Sequence, residues 1–198
     1  MTPARPPMAL NLYIRTDPLN PTARPSDLAQ VTPKPPSFSE AIDALDAAEP
    51  WGPGRGPLAI VCGYGPVGRL CEQKLVESGF EVAVVERNLQ TIETRLDLQR
   101  RCIFGCAADL GVLRRAGLDH ARALVLAISR PEQAIEACRL ARGHRPDLYI
   151  ALRTPYCSDG LKARQAGADA VIVDEVVTAE AMRDAVAQGV GLSWPLAG

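Results

Sequence analysis

Several features that mark large functional classes are scarce in this 198-residue chain. It has two histidines, His120 and His144, and no C-x-x-C pair among its six cysteines, so no zinc site is expected. Cys62, Cys71, Cys102, Cys106, Cys138 and Cys157 instead read as reduced thiols in a cytosolic compartment, several of them small hydrophobes within apolar runs. Charge of one sign is also missing. The chain carries 22 basic and 23 acidic residues, without the basic stripe of a nucleic-acid binder. No apolar run approaches the ~18 residues of a spanning helix. The longest candidates, Leu58–Cys62 and Ala123–Ile128, have the length of strands. At the N-terminus, prolines interrupt the place where a signal peptide would need its apolar stretch.

Proline itself is abundant and unevenly spread: residues 1–57 hold 12 of the 17. Such a segment keeps neither a helix nor a central strand and is expected to be largely extended or disordered. Within it, Met8–Ile14 is a short apolar stretch suited to a sheet edge or a partner. Ser37–Glu49 has Ser37 and Glu40 at capping-box spacing and Phe38, Ile42 and Leu45 on one helical face. Short isolated helices are marginal, so a weakly ordered linker is the simpler reading of both. The sequence thus divides into this segment, a domain over 58–190 and a short tail over 191–198.

From Leu58 onward the 47% apolar content of the chain is organised. Strands are expected at Leu58–Cys62, Glu81–Glu86, Arg101–Phe104, Ala123–Ile128, Leu148–Leu152 and Ala170–Val173. Helices are expected at Pro66–Ser78, Asn88–Arg100, Asp109–Ala116, Pro131–Gly143, Ser158–Ala166 and Val176–Gln188. Val67, Leu70, Cys71 and Leu75 would form the buried face of the first helix, and Leu89, Ile92 and Leu96 that of the second. Ala134, Ala137, Cys138 and Ala141 share a face of the fourth. Strand and helix alternate six times, and the strands are apolar without strict alternation, as when both faces are buried. The fold class is therefore α/β: a Rossmann-like, doubly wound, mainly parallel six-stranded sheet with helices on both faces. Arg114–Asp119 and Arg164–Asp169 repeat one device, a helix end, a glycine and a short return to the sheet.

The first strand runs directly into Gly63-Tyr64-Gly65-Pro66-Val67-Gly68, a G-x-G-x-x-G at a strand-to-helix turn. Gly63 permits the turn, Gly65 lets a pyrophosphate approach the backbone, and Gly68 lets the helix pack close to the strand. Pro66 falls at the first helical position, where its missing N–H costs nothing. The free amides and the positive helix end would face phosphates. Glu86 closes the second strand, 18 residues past Gly68, where a carboxylate accepts ribose hydroxyls and repels a 2′-phosphate. The adjacent Arg87 would either tolerate that phosphate or lie over the adenine.

These residues, Ala59–Gly68 followed by Val84-Val85-Glu86-Arg87-Asn88, resemble the nucleotide-binding RCK domain, also called TrkA-N or KTN, of potassium channels and transporters. Gly105-Cys106-Ala107-Ala108 stands where that family has G-D-A-T, and Leu113–Leu118 resembles its L-x-x-A-G-I continuation. Ala123–Ser129 resembles its fourth strand and polar turn, Ala151-Leu152-Arg153 its fifth strand ending in arginine, and Leu161–Val173 its L-x-x-x-G-A-D-x-V-I segment. The resemblance covers about 58–188. It implies a domain that binds NAD(H), or alternatively AMP, ADP or ATP, and senses it without turning it over. The nearest flavour is the regulatory domain of Kef- or Trk-type systems. The implied partner is a membrane channel or transporter subunit, fused or separate, with the domain cytoplasmic at the inner face of the membrane and assembled as a homodimer or higher symmetric oligomer. The implied site comprises Gly63, Tyr64, Gly65, Pro66, Val67, Gly68, Glu86, Arg87, Cys106, Ala107, Ser129 and Arg153. Cys106 and Ala108 depart from the family's acid and hydroxyl, which removes a charge and a hydroxyl beside the expected adenosine.

Other readings attach to single residues. Cys106, four residues after Cys102, is either a redox sensor or buried filler. Arg153 would meet a phosphate or pair with Asp109 or Glu132. Ser129 would bond a ribose or cap the helix starting near Pro131. His120 and His144 fall in polar loops and are expected to be solvated, and Arg139, Arg142 and Arg145 to form an exposed helix face. Val176, Val177, Met182 and Val186 suit a core or a subunit interface. A small NAD-dependent oxidoreductase is the alternative function, but no substrate domain follows, and Tyr156 has Gly160 rather than lysine four residues on. An interaction module with a vestigial nucleotide site is the third reading, and a methyltransferase a more remote one.

Overall fold

The computed structural model describes residues 56–97 and 101–191. The expectations for Met8–Ile14, Ser37–Glu49 and the closing tail lie outside the described residues. Twelve elements alternate without exception among the described residues: β1 (Leu58–Cys62), α1 (Pro66–Glu77), β2 (Glu81–Glu86), α2 (Leu89–Asp97), β3 (Cys102–Phe104), α3 (Leu110–Arg115), β4 (Ala121–Leu126), α4 (Pro131–His144), β5 (Tyr149–Thr154), α5 (Cys157–Gln165), β6 (Ala170–Val173) and α6 (Asp174–Gly189). The strands form one sheet in the order β3-β2-β1-β4-β5-β6, and every neighbouring pair is parallel. The chain reverses its direction of winding between β1 and β4, so a crevice opens at their carboxyl ends.

Local chemistry explains most boundaries. Pro66 opens α1 and Gly79, at φ 83°, ends it. Asp109 caps α3 by accepting from the Gly111 amide at 2.8 Å. The repeated device is real: α3 and α5 end at Ala116 and Ala166, followed by Gly117 and Gly167 at φ 98° and 102°. Two strands are displaced from their expected spans. The fourth begins at Ala121, because its ladder with β1 slips between Leu58 and Ala59 and carries exposed Arg122 within it. The fifth runs on through Arg153 and Thr154, two polar residues that conceal its end.

The main core lies on the α3–α4–α5 face, where Ile60, Leu124, Ile150, Leu113, Ala134, Cys138 and Ala163 are fully buried. A smaller cluster of Val61, Val84, Ile92 and Cys102 lies on the other face. Burial on both faces holds for β1 but fails for β4 and β5, where buried positions alternate with half-buried or exposed ones. On that side α6 contributes no buried residue. The first two helices also turn differently from expectation. In α1, Gly68 and Glu72 are buried while Val67 and Leu70 are exposed. In α2, Ile92 and Arg95 are buried and Leu89 is exposed, while the Leu96 side chain lies outside the described residues. The expected face of α4 is buried throughout.

The α4 cations are not the solvated row that their spacing suggested. Arg139 stays exposed with Glu136. Arg142 donates to the Gly167 carbonyl at 2.9 and 2.8 Å and to Asp169 at 2.6 Å. Arg145 donates to the Leu118 carbonyl at 3.1 Å, and His144 pairs with Asp119. These contacts tie the end of α4 to both glycine returns, because carbonyls left over at helix ends need donors.

Candidate functional site

The glycine turn sits at the carboxyl end of β1, and its three glycines answer to three constraints. Gly63 is left-handed at φ 89°, and a Cβ there would lie 2.8 Å from the carbonyl oxygen of Ala127, just past the end of β4. A Cβ on Gly68 would fall 2.0 Å from the Gly63 carbonyl oxygen, so α1 rests directly on the turn. Gly65 is exposed and has nothing within 4 Å of the corresponding position. Only the middle glycine therefore keeps its space open outward. As N-cap of α1 it offers no side-chain acceptor, so the first turn of the helix has no side-chain cap.

Glu86 is wired to this turn. One carboxylate oxygen accepts from the Tyr64 amide at 2.8 Å, and the other from the amides of Arg87 at 2.6 Å and Asn88 at 3.0 Å. A carboxylate has about four acceptor directions, so roughly one remains for a ligand in this arrangement. Beside it lies a hollow of about 50 Å³ lined by Gly63, Val85, Glu86, Arg87, Gly105, Ala107, Ile128 and Gln133. It lies where β1, β2, β3 and β4 all end, at the topological switch point.

The structure thus gathers Gly63, Glu86, Arg87 and Ala107 around one hollow, with Gly65 and Pro66 at the adjoining helix start. Half-buried Cys106 follows Gly105. Ser129 is exposed in the β4–α4 turn and does not cap α4, whose N-cap is Arg130 without a side-chain cap bond. Val67 and Arg153 belong elsewhere. They line a larger, mainly apolar groove of about 450 Å³ with Cys71, Val125, Ile172 and Val177. Arg153 pairs with neither Asp109 nor Glu132. Its guanidinium grips Asp174 at 2.7 and 2.6 Å, and this bond holds it above its ordinary pKa. Gln133 was missed by sequence reasoning, although its place in the first turn of a helix after a central strand was a usable signal.

Two cysteines beneath the site, Cys62 and Cys102, are buried. Burial, with smaller contributions from Cys106 and Glu86, pushes the Cys62 thiol far above its ordinary value. Burial likewise raises Cys102 to about 11, outweighing the neighbouring Arg95. Neither thiol has the thiolate character of a reactive group.

Comparison with known proteins supplies the relationship. The TrkA-N domain family matches residues 59–174. A glutathione-regulated potassium-efflux system protein KefC from Klebsiella pneumoniae is 28% identical over 114 residues, 58% of this chain and 18% of that protein. Its counterpart from Salmonella paratyphi B is 30% identical over 111 residues, again 18% of its length. The chain therefore spans less than a fifth of these curated relatives. The crystal structure of the TrkA-N domain of Escherichia coli inner membrane protein ybaL superposes with a TM-score of 0.62 at 28% identity, covering 66% of this chain and 97% of that one. The AMP-bound Kef C-terminal domain of Shewanella denitrificans shares the fold with a TM-score of 0.58 at 23% identity, covering 69% and 82%. The NAD-bound GsuK channel does so at 0.53 and 20%, covering 69% and 25%.

Proposed function

The chain belongs to the TrkA-N domain family, related to potassium-efflux regulators, and from that premise we propose that it is a regulatory module that binds NAD(H) or an adenine nucleotide and controls a potassium channel or transporter. The observation that carries this reading is the join between Glu86 and the glycine turn. It sets a ribose acceptor beside a helix start whose middle glycine is open to a phosphate. Phosphates would lie over Gly65, and the hollow would take one edge of the sugar. Glu86, Arg87, Gly63, Gly65 and the backbone at Cys106–Ala107 form the proposed site, with Gln133 added at its rim. The AMP-bound Kef domain and the NAD-bound GsuK channel support the choice of ligand class by fold alone.

The reading includes no catalysis: the proposed site contains no acid–base pair, and the ligand would be sensed through its different affinities for two conformations of the assembly. In this reading control of transport passes through a membrane subunit, fused or separate; no helix among the described residues is long and apolar enough to cross a membrane. A cytoplasmic place at the inner face of the membrane follows from that proposal. So does self-association, for α6 exposes Val176, Val177, Met182 and Val186.

Titration calorimetry with NADH, NAD, AMP, ADP and ATP tests the function. At least one is expected to bind with a one-site isotherm, and heat from none of them overturns the proposal. The competing reading, an interaction module with a vestigial site, draws on the hollow's small size and on the amides already holding Glu86. Association without any nucleotide binding would favour it.

A further inference from the structure

Directly behind the glycine turn lies an ion pair that the functional reading leaves unused. Arg95 of α2 is 2% exposed and Glu72 of α1 is 4% exposed. The guanidinium donates to both carboxylate oxygens, at 3.0 and 2.8 Å, and to the Arg101 carbonyl at 3.2 Å. Tyr64, from the centre of the G-x-G, turns its side chain away from the crevice and into this pair. Its hydroxyl bonds Glu72, and its ring lies under the Arg95 guanidinium, 4.4 Å from centroid to Cζ. Burial lowers the Arg95 pKa, and Glu72 more than reverses this, so the guanidinium stays charged. Two charges buried in a small domain are a weak source of stability, and well-packed apolar residues commonly do as well. What the pair adds is direction. A bidentate guanidinium–carboxylate contact fixes the relative orientation of the two helices that carry it.

The arrangement closes a loop through the site. Tyr64 is held on its side-chain end by Glu72 and Arg95, and on its backbone end it donates to Glu86. Glu86 stands three residues before α2, the helix that carries Arg95. We infer that Glu72, Arg95 and the Tyr64 side chain are positioning residues for the nucleotide site: they lock the turn so that the Tyr64 amide orients the Glu86 carboxylate toward the sugar. This inference rests on the proposed function and extends it to three side chains that touch no ligand. It also accounts for a polar pair at two helix positions where apolar residues would satisfy the core.

The test uses the full chain and three variants. The double variant Glu72→Leu/Arg95→Met removes the lock without stranding a buried charge. Tyr64→Phe keeps the ring against Arg95 and deletes only the hydroxyl, and Tyr64→Ala removes both. Affinity is measured by calorimetry with whichever of NADH, NAD, AMP, ADP and ATP binds the native chain. Exchange of the Tyr64 amide is followed by NMR without nucleotide, and the melting temperature serves as the structural control. The expected result is roughly tenfold weaker binding and roughly tenfold faster Tyr64 exchange in the double variant and in Tyr64→Ala, with Tyr64→Phe about threefold in both. A merely structural pair would move the melting temperature and leave the affinity of the folded protein unchanged. Native affinity in the double variant overturns the inference alone, as does weakened binding with native Tyr64 exchange. If the double variant does not fold, Tyr64→Ala decides by the same two readings. A native chain that binds none of NADH, NAD, AMP, ADP and ATP overturns the functional proposal and takes this inference with it.

Discussion

The three glycines of the turn separate stability from binding at the level of single residues. Gly68→Ala would press a methyl against the Gly63 carbonyl, a backbone atom that cannot swing aside. Overpacking of this kind costs about 1–3 kcal/mol, visible as a lower denaturant midpoint at unchanged slope. Gly65→Ala meets open space at φ −71°, a conformation that any residue adopts, so its midpoint should match the native chain within about 0.5 kcal/mol. Its nucleotide affinity should fall at least tenfold, because the methyl occupies the phosphate approach. Equal affinities for Gly65→Ala and the native chain would remove the phosphates from this turn. The thiols give a second check at this scale. Cys62, Cys102 and Cys138 are buried, and burial raises all three. A thiol reagent should therefore modify no more than three of the six cysteines before unfolding and all six after it.

Among elements, the join of α4 to the turn between α5 and β6 is expected to depend on pH. Asp169 accepts from the Ile150 amide at 2.7 Å and from Arg142 at 2.6 Å. The Ile150 bond and the arginine hold its pKa below the ordinary 3.8. A carboxyl whose folded pKa is depressed contributes stability above its unfolded value and loses it as pH falls through the folded one. The contribution is therefore present at neutral pH and fades from about pH 4 downward. Asp169→Asn should be less stable than the native chain at pH 7, with the gap closing as pH approaches 2. A gap that is constant with pH in urea titrations would contradict this account. The same element-level view explains the helix faces. Apolar spacing put Val67 and Leu70 of α1 inside, whereas packing turned Gly68 and Glu72 inward. The close approach that Gly68 allows chooses the face, and one turn later that face carries Glu72.

For the whole molecule, the uneven covering of the sheet has consequences. One face is filled by α3, α4 and α5, while β4–β6 leave exposed Ile172 and half-buried Val125 and Ala151 along the groove bordered by α1 and α6. The groove and the exposed side of α6 together form the apolar surface on which the proposed self-association would draw. Sedimentation velocity should show a species larger than a monomer, and Met182→Glu with Val186→Glu should shift it to monomer while native circular dichroism is retained. A native chain that stays monomeric at 100 µM would end this part of the proposal. The legibility of the site follows the same divide. Gly63, Gly65, Gly68, Glu86 and Arg87 were readable because a short strand-turn-helix dictates where they lie. Arg153 was not, because its partner Asp174 stands 21 residues away across a crossover. Gln133 was missed because the fourth strand had first to be placed beside the first.

The order of elements, the parallel sheet and the glycine-rich strand-to-helix turn were all determined by the sequence alone, since each depends on periodicity, on glycine or proline geometry, or on contacts within a few residues. Tertiary structure decided which face of α1 and α2 is buried, that Tyr64 points into a Glu72–Arg95 pair, and that Arg142 and Arg145 hold glycine returns. The physical reason is that a side chain's burial and charge partner depend on what the rest of the chain brings against it. In this protein those partners come from 8 to 27 residues away.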